Sequence, residues 1–219
     1  MKKDDLWFTD DNERRIETLL WGGDEIIWVV PAWKGLETLG FFYNQTIKKN
    51  WNYEGAELRH AAGLVFCHHN APIHRITHLV KYKLAEKAKE KDRKQNLFAY
   101  EVLESFDHVS GDFEDYRNKR SPAGARPDSL ILNGENIQNV LTEATKLLPH
   151  LSRRKLHKLT HKIIKPDWPP TAEERNDIYS SMKEGLPPTA STALDNIKPL
   201  LGGEDACWLH LSALWDYLV

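Results

Sequence analysis

The four residues Gly22-Gly23-Asp24-Glu25 constrain this chain more than any others. They separate two apolar runs, Ile16-Glu17-Thr18-Leu19-Leu20-Trp21 and Ile26-Ile27-Trp28-Val29-Val30, the second ended by Pro31. Two extended runs joined by Gly-Gly-Asp predict a β-hairpin, because glycine accepts the positive φ that a tight turn demands. By itself the tetrapeptide is also compatible with an ordinary charged turn.

The pattern downstream predicts further elements. Trp33 to about Lys49 reads as a helix, with Leu36, Leu39 and Phe42 near a 3–4 spacing. Leu58 to Phe66 reads as a strand. Pro72 is placed to open a long helix to about Lys91, since proline suits a first helical turn. Ile76, Leu79, Val80, Leu84 and Ala88 form its apolar stripe, and Leu97 to Leu103 reads as the next strand. The predicted order is ββαβαβ. Gly, Pro, Ser and charges dominate residues 105–128. From about Asn136 a helical pattern runs to the end, cut by prolines from Pro149 to Pro199. The expected fold is α+β: residues 1–104 a mixed sheet-and-helix portion, 105–135 a connection, 136–219 a helical domain.

Composition narrows the class. Thirty Lys+Arg against 32 Asp+Glu give a net charge of −2, which argues against bulk nucleic-acid binding by the whole chain. With 41% hydrophobic and 28% charged residues the chain is of globular type. No apolar run approaches the ~20 residues of a membrane span. The start, MKKDDLWFTDDNERR, lacks the apolar core of a signal peptide. Only Cys67 and Cys207 are present, so no disulfide framework is expected and a reducing cytoplasm is. A buried thiol is expected at Cys207.

Gly22-Gly23-Asp24-Glu25 at a hairpin tip resembles the signature of GGDEF-type palm domains. Ala61-Ala62-Gly63-Leu64-Val65-Phe66-Cys67-His68-His69-Asn70-Ala71-Pro72-Ile73 resembles the strand-to-helix segment in the large subunit of type III CRISPR effector complexes. Leu84 to Asn96, followed by Leu-Phe-Ala-Tyr-Glu-Val-Leu, resembles that family's Ala-Lys helix end, Arg-Asn turn and last palm strand. Leu151 to Leu159 is similar to a segment of the helical domain that follows the palm. Order and spacing agree over roughly residues 15–165.

The resemblance implies a partial ferredoxin-like palm and a related activity: joining ATP into cyclic oligoadenylates with Mg²⁺ or Mn²⁺ in antiviral defence. It implies that Gly22 and Gly23 approach phosphates and that Asp24 and Glu25 hold metal and act catalytically. Glu25 stands where the family usually has a second Asp. His68, Lys89 and Arg93 fall at nucleotide-binding positions, Arg93 less closely because the turn is longer here. Glycines without side chains and two adjacent acids suit a metal-bridged triphosphate.

A complete palm begins with a further βα unit whose first strand carries another metal-binding Asp. Asp4, Asp5, Asp10 and Asp11 precede the hairpin, but none ends a clear apolar strand. The chain is therefore expected to be a split subunit, a degenerate copy or a truncated piece, inactive or nearly so alone. A partner chain, a second copy, or Leu6-Trp7-Phe8 folding back is expected to cover the open palm edge, with Trp21, Trp28 and Trp33 in the exposed surface or in the core. The alternative reading is a non-catalytic scaffold subunit of a CRISPR ribonucleoprotein.

Two other constellations stand out. Cys67, His68, His69, His74 and His78 have the chemistry of a zinc site, but Cys67 and His68 alternate across a strand and no second Cys is near, so a strand end and a solvated helix face are expected. Lys146 to Lys165 holds seven Lys/Arg and three His without an acid. RNA contact through Arg153, Arg154, Lys155 and Lys158 is one reading of that stretch, and a solvated face is the other. The mixed-sign run from Lys81 to Lys94 reads as helix support by i, i+4 pairs.

Overall fold

A computed structural model describes residues 7–9, 11–103, 130–163 and 171–218. Most of the expected connection, and Asp4, Asp5, Leu6, Asp10 and Lys165, lie outside the described residues. The chain is an α+β protein.

The hairpin forms where its turn residues place it. β1 (Glu17–Gly22) pairs antiparallel with β2 (Glu25–Val29), from Glu17↔Val29 to Gly22↔Glu25, with a bulge between Thr18 and Leu20. Gly23 opens the two-residue loop at φ 59°, the left-handed region that glycine enters without Cβ strain. α1 (Gly35–Lys48) follows and buries Leu36, Gly40 and Tyr43 along one face. Within the expected Leu58–Phe66 strand the ladder starts only at Ala61. Just upstream, β3 (Asn52–Tyr53) and β4 (Ala56–Glu57) make a small separate hairpin.

The central sheet is β5–β6–β7. β5 (Ala61–Phe66) and β6 (Leu97–Val102) are parallel, in register from Ala61↔Leu97 to Phe66↔Val102. A parallel pair needs a crossover, and the helical segment between them supplies it. That segment is α2 (Ile73–Leu79), a π-helical turn Val80–Ala85, and α3 (Glu86–Lys91). β7 (Ile131–Asn133) adds antiparallel to the other edge of β6, a strand the sequence reading had inside a connection.

Side chains alternate across this sheet with period two. Leu97, Ala99 and Leu103 face the crossover helix and pack with Ile76, Leu79, Leu84 and Ala88. Phe66, Phe98, Tyr100 and Leu132 face the other way, into a larger core with Leu36, Tyr43, Ile137, Ala144, Leu194, Trp208 and Leu211. This core runs without a break from the sheet into the helices that follow. They are α4 (Ile137–Leu147), α5 (Arg153–Ile163), α6 (Ala172–Lys183), α7 (Pro188–Leu200) and α8 (Glu204–Ala213).

Helix starts follow local chemistry. Thr171 and Glu174 form a reciprocal capping box on α6, and Pro188 sits at the first turn of α7. Gly202 and Gly203, at φ 84° and 101°, make the turn between α7 and α8.

Two close approaches fix the assembly. A Cβ on Gly63 would lie 2.3 Å from the Val80 carbonyl oxygen, so the absent side chain lets the crossover helix settle onto β5 where its π-turn begins. The Tyr43 ring lies against Gly134, and its hydroxyl donates to the Leu97 carbonyl at 2.8 Å. Deep in the larger core, Tyr100 Oη and His210 Nδ1 share a hydrogen bond at 2.7 Å across 110 residues of sequence. Cys207 is fully buried, and burial pushes its thiol up to about 12.

Candidate functional site

At the hairpin tip Gly22 and Gly23 face open space, with nothing within 4 Å of where a Cβ would stand on either. The backbone there is accessible to a ligand. Asp24 is exposed, and Glu25, opening β2, is half-buried. Its carboxylate accepts a hydrogen bond from Lys81 Nζ at 2.7 Å. Lys81 lies in the π-turn, and its ammonium also stands 5.1 Å from the centre of the Tyr82 ring. The Glu25 hydrogen bond, acting against partial desolvation, raises the Lys81 pKa, so the cation is retained at neutral pH.

A second anchor holds the hairpin. Trp28 on β2 meets Phe42 of α1 edge-on at 6.1 Å, and Phe42 in turn contacts Trp51 and His60. One end of β2 is thus fixed by an ion pair and its middle by aromatic packing. Trp28 is half-buried in that cluster, whereas Trp21 is 74% exposed and Trp33 45%. Trp7 folds back so that the Lys34 ammonium lies 5.6 Å from its ring centre.

The other sequence-derived candidates are not gathered at the tip by any contact. His68 follows β5, is exposed, and its Nδ1 pairs with Asn70 Oδ1 at 2.8 Å. Lys89 Nζ is engaged by Glu86 at 2.8 Å. It lies eight residues beyond Lys81, about 12 Å along a helix axis. Arg93 is exposed in the turn after α3. The cation at the hairpin is therefore Lys81, which the sequence reading assigned to helix support. A π-turn shifts side-chain directions relative to a regular helix, and such turns frequently mark functional sites. The signal in the sequence was Gly63, a glycine inside an apolar strand, which marks a close backbone approach.

The donor set at the tip is two adjacent carboxylates. Among the described residues no group of three or more His, Cys, Asp or Glu is assembled to hold a metal. That applies equally to Cys67, His68, His69, His74 and His78. Two carboxylates nonetheless fit Mg²⁺, which takes one or two from protein and completes its shell with water and substrate phosphate.

On the basic stretch, Arg153 makes a bidentate pair with Asp216, at 2.9 and 2.7 Å, and Lys155 Nζ donates to the Ser181 carbonyl. Arg154 and Lys158 are exposed. No helix among the described residues is long and apolar enough to cross a membrane.

No family model, curated protein or solved structure matches this chain.

Proposed function

We propose that this chain is a CRISPR-associated, GGDEF-like palm piece that binds ATP with Mg²⁺ or Mn²⁺ at the Gly22–Glu25 hairpin. It belongs to the chemistry of cyclic oligoadenylate synthesis and needs a second chain for turnover. The observation that carries the reading is the tip itself: an unobstructed glycine backbone, an exposed Asp24, and Glu25 beside the Lys81 cation. A metal held there by Asp24 and Glu25 would supply charge neutralisation for phosphate and lower the pKa of an attacking hydroxyl. The residues of the chain then do the rest. Gly22 and Gly23 leave room for phosphates at the backbone, Asp24 offers a free carboxylate, and Lys81 is within reach to pair with triphosphate charge. The resemblance implies His68, Lys89 and Arg93 as further nucleotide contacts, but among the described residues no contact brings them to the tip.

The strand ladders support the need for a partner. Among the described residues β2 pairs only with β1, and β5 only with β6. Each leaves one edge unladdered, and α1 joins β2 to β5 without the two pairing. On this reading the two free edges would take one more strand between them, as a split βαβ of a ferredoxin-like sheet does.

A second reading, a non-catalytic scaffold subunit, is favoured by exposed aromatic side chains, Trp21 on the hairpin at 74% and Phe41 on α1 at 64%. Incubation of the chain with labelled ATP and Mg²⁺ or Mn²⁺ separates the two, alone and with the product of the adjacent reading frame. Metal-dependent ATP binding, with oligoadenylate formed only in the mixture, is the expected result. Absence of ATP binding in both arms overturns the nucleotide reading.

A further inference from the structure

We infer that the outer face of α5 is a binding surface for single-stranded nucleic acid, built from Arg154, His157, Lys158, His161 and Lys162. This inference is independent of the hairpin reading. α5 has two unlike sides. Leu156 and Thr160 are buried, and the helix packs against α8 and α6. Arg154, His157, Lys158, His161 and Lys162 are all exposed. Arg153, Arg154, His157, Lys158 and His161 line one shallow, open depression.

The two cations of this helix that are tied down are not the ones on offer. Arg153 is held by Asp216, and Lys155 by the Ser181 carbonyl. Among the described residues Arg154, Lys158 and Lys162 make no ion pair. They recur every four residues, about 6 Å apart along the axis, so they form a single ridge. No acid occurs from Lys146 to Lys165, while the whole chain has a net charge of −2. The stretch is thus a run of unopposed positive charge in a molecule whose remainder is net acidic.

Two features favour a nucleic-acid strand over an acidic protein. Among its described side chains the face carries no exposed aliphatic or large aromatic anchor of the kind that fills the centre of a protein interface. It does carry two imidazoles one turn apart, His157 and His161, with ring centres 5.3 Å from each other. Cations that track a backbone, beside flat rings that accept unstacked bases, are the two components of sequence-tolerant single-strand binding. A duplex presents no free base faces to those rings. RNA and DNA strands share this chemistry, and the measurement distinguishes them.

The test is fluorescence anisotropy of the full chain with a short fluorescein-labelled single-stranded RNA, the DNA of the same sequence, and the RNA annealed to its complement, across a salt series. Single strands are expected to bind more tightly than the duplex at low salt. Replacing Arg154, Lys158 and Lys162 together by Gln should weaken binding and lower the slope of log affinity against log salt by about two, at roughly 0.7 per phosphate neutralised. His157→Ala with His161→Ala should cost about tenfold in affinity and leave the salt slope in place. Lys48→Gln with Lys49→Gln, on a distant helix end, should change neither. Unchanged thermal midpoints establish that the variants fold. Tighter binding of RNA than DNA assigns RNA as the ligand, and equal binding assigns any single strand. No binding at low salt, an unchanged slope in the triple variant, or equal affinity for poly-glutamate overturns the inference.

Discussion

Glu25 and Lys81, 56 residues apart, meet at 2.7 Å, and this ion pair joins the tip of the hairpin to the π-turn of the crossover helix. Both side chains stay partly open to solvent, 42% and 33% exposed. The pair is therefore exchangeable: a triphosphate arriving at the tip can take over the ammonium as its own counter-charge. Lys81→Met is expected to lower Mg-ATP affinity severalfold while the thermal midpoint stays within error, because an exposed ion pair contributes little to stability. Lys81→Arg should restore most of the affinity. Titration calorimetry of the three proteins decides it, and equal affinities would remove Lys81 from the site.

Asp24 has the opposite character. It is exposed, and its loss relieves repulsion with Glu25 at the turn. Asp24→Ala is expected to abolish metal-dependent ATP binding with little loss of fold. Unchanged Mg-ATP affinity in this variant, by the same calorimetry, places the nucleotide elsewhere.

How much of this was legible in the sequence depends on the range of the interaction. The hairpin was readable because Gly22-Gly23-Asp24 is a local turn signal between apolar runs. The stripe Ile76, Leu79, Val80, Leu84 and Ala88 was readable because helical period and burial coincide there: four of the five are buried and Val80 is half-buried against them. β7 was not, since three residues after a polar stretch carry no periodicity, and their strand character comes from the edge of β6. The β3–β4 hairpin was hidden for a different reason. Its turn puts Glu54 at φ 49°, which a non-glycine residue seldom adopts, so only Gly55 signalled it. Lys81 at the tip was missed because a regular helix through Val80–Ala85 points it elsewhere, and Gly63 hinted only at a close backbone approach. The Tyr100–His210 bond joins β6 to α8, and no local pattern encodes it.

Gly63 tests the contact that positions Lys81. A methyl group there would fall 2.3 Å from the Val80 carbonyl oxygen and 3.0 Å from Leu84 Cβ, and backbone must move to admit it. Overpacking of this kind costs about 1–3 kcal/mol. Gly63→Ala is expected to lower the melting temperature by roughly 2–12 °C, at about 2–4 °C per kcal/mol for a chain of this size. Gly22→Ala, whose new methyl meets nothing within 4 Å, is the control and should melt as the parent does. Calorimetric scans of the pair check the contrast.

Trp21 at 74%, Tyr53 at 67% and Phe41 at 64% exposure leave apolar surface uncovered even with Trp7 folded back. Exposed apolar surface drives association at roughly 25 cal/mol per Å² covered. The purified chain is expected to associate with rising concentration, and Trp21→Ser to weaken that association. Sedimentation showing a single 25.3 kDa species at every concentration, for the parent as for the variant, would contradict it.

His210 sets an acid limit on stability. It is nearly fully buried, its Nδ1 bonded to Tyr100 Oη, and burial lowers its pKa from 6.5 to about 4. At neutral pH the imidazole is uncharged in both folded and unfolded chains, so the full stability of the core is present. As the pH falls below 6.5 the unfolded chain takes up a proton that the folded chain refuses. Stability then declines until about pH 4, where the folded form also titrates, and the total loss from this one group is about 3 kcal/mol. The burial-lowered pKa of His60 acts in the same direction. His210→Gln preserves a hydrogen-bonding group toward Tyr100 but cannot titrate. Its stability should fall less steeply than the parent's between pH 6.5 and 4, although it starts lower at pH 7 from imperfect packing. Urea denaturation of both proteins across that interval measures the difference, and parallel curves would show that His210 does not carry the acid sensitivity.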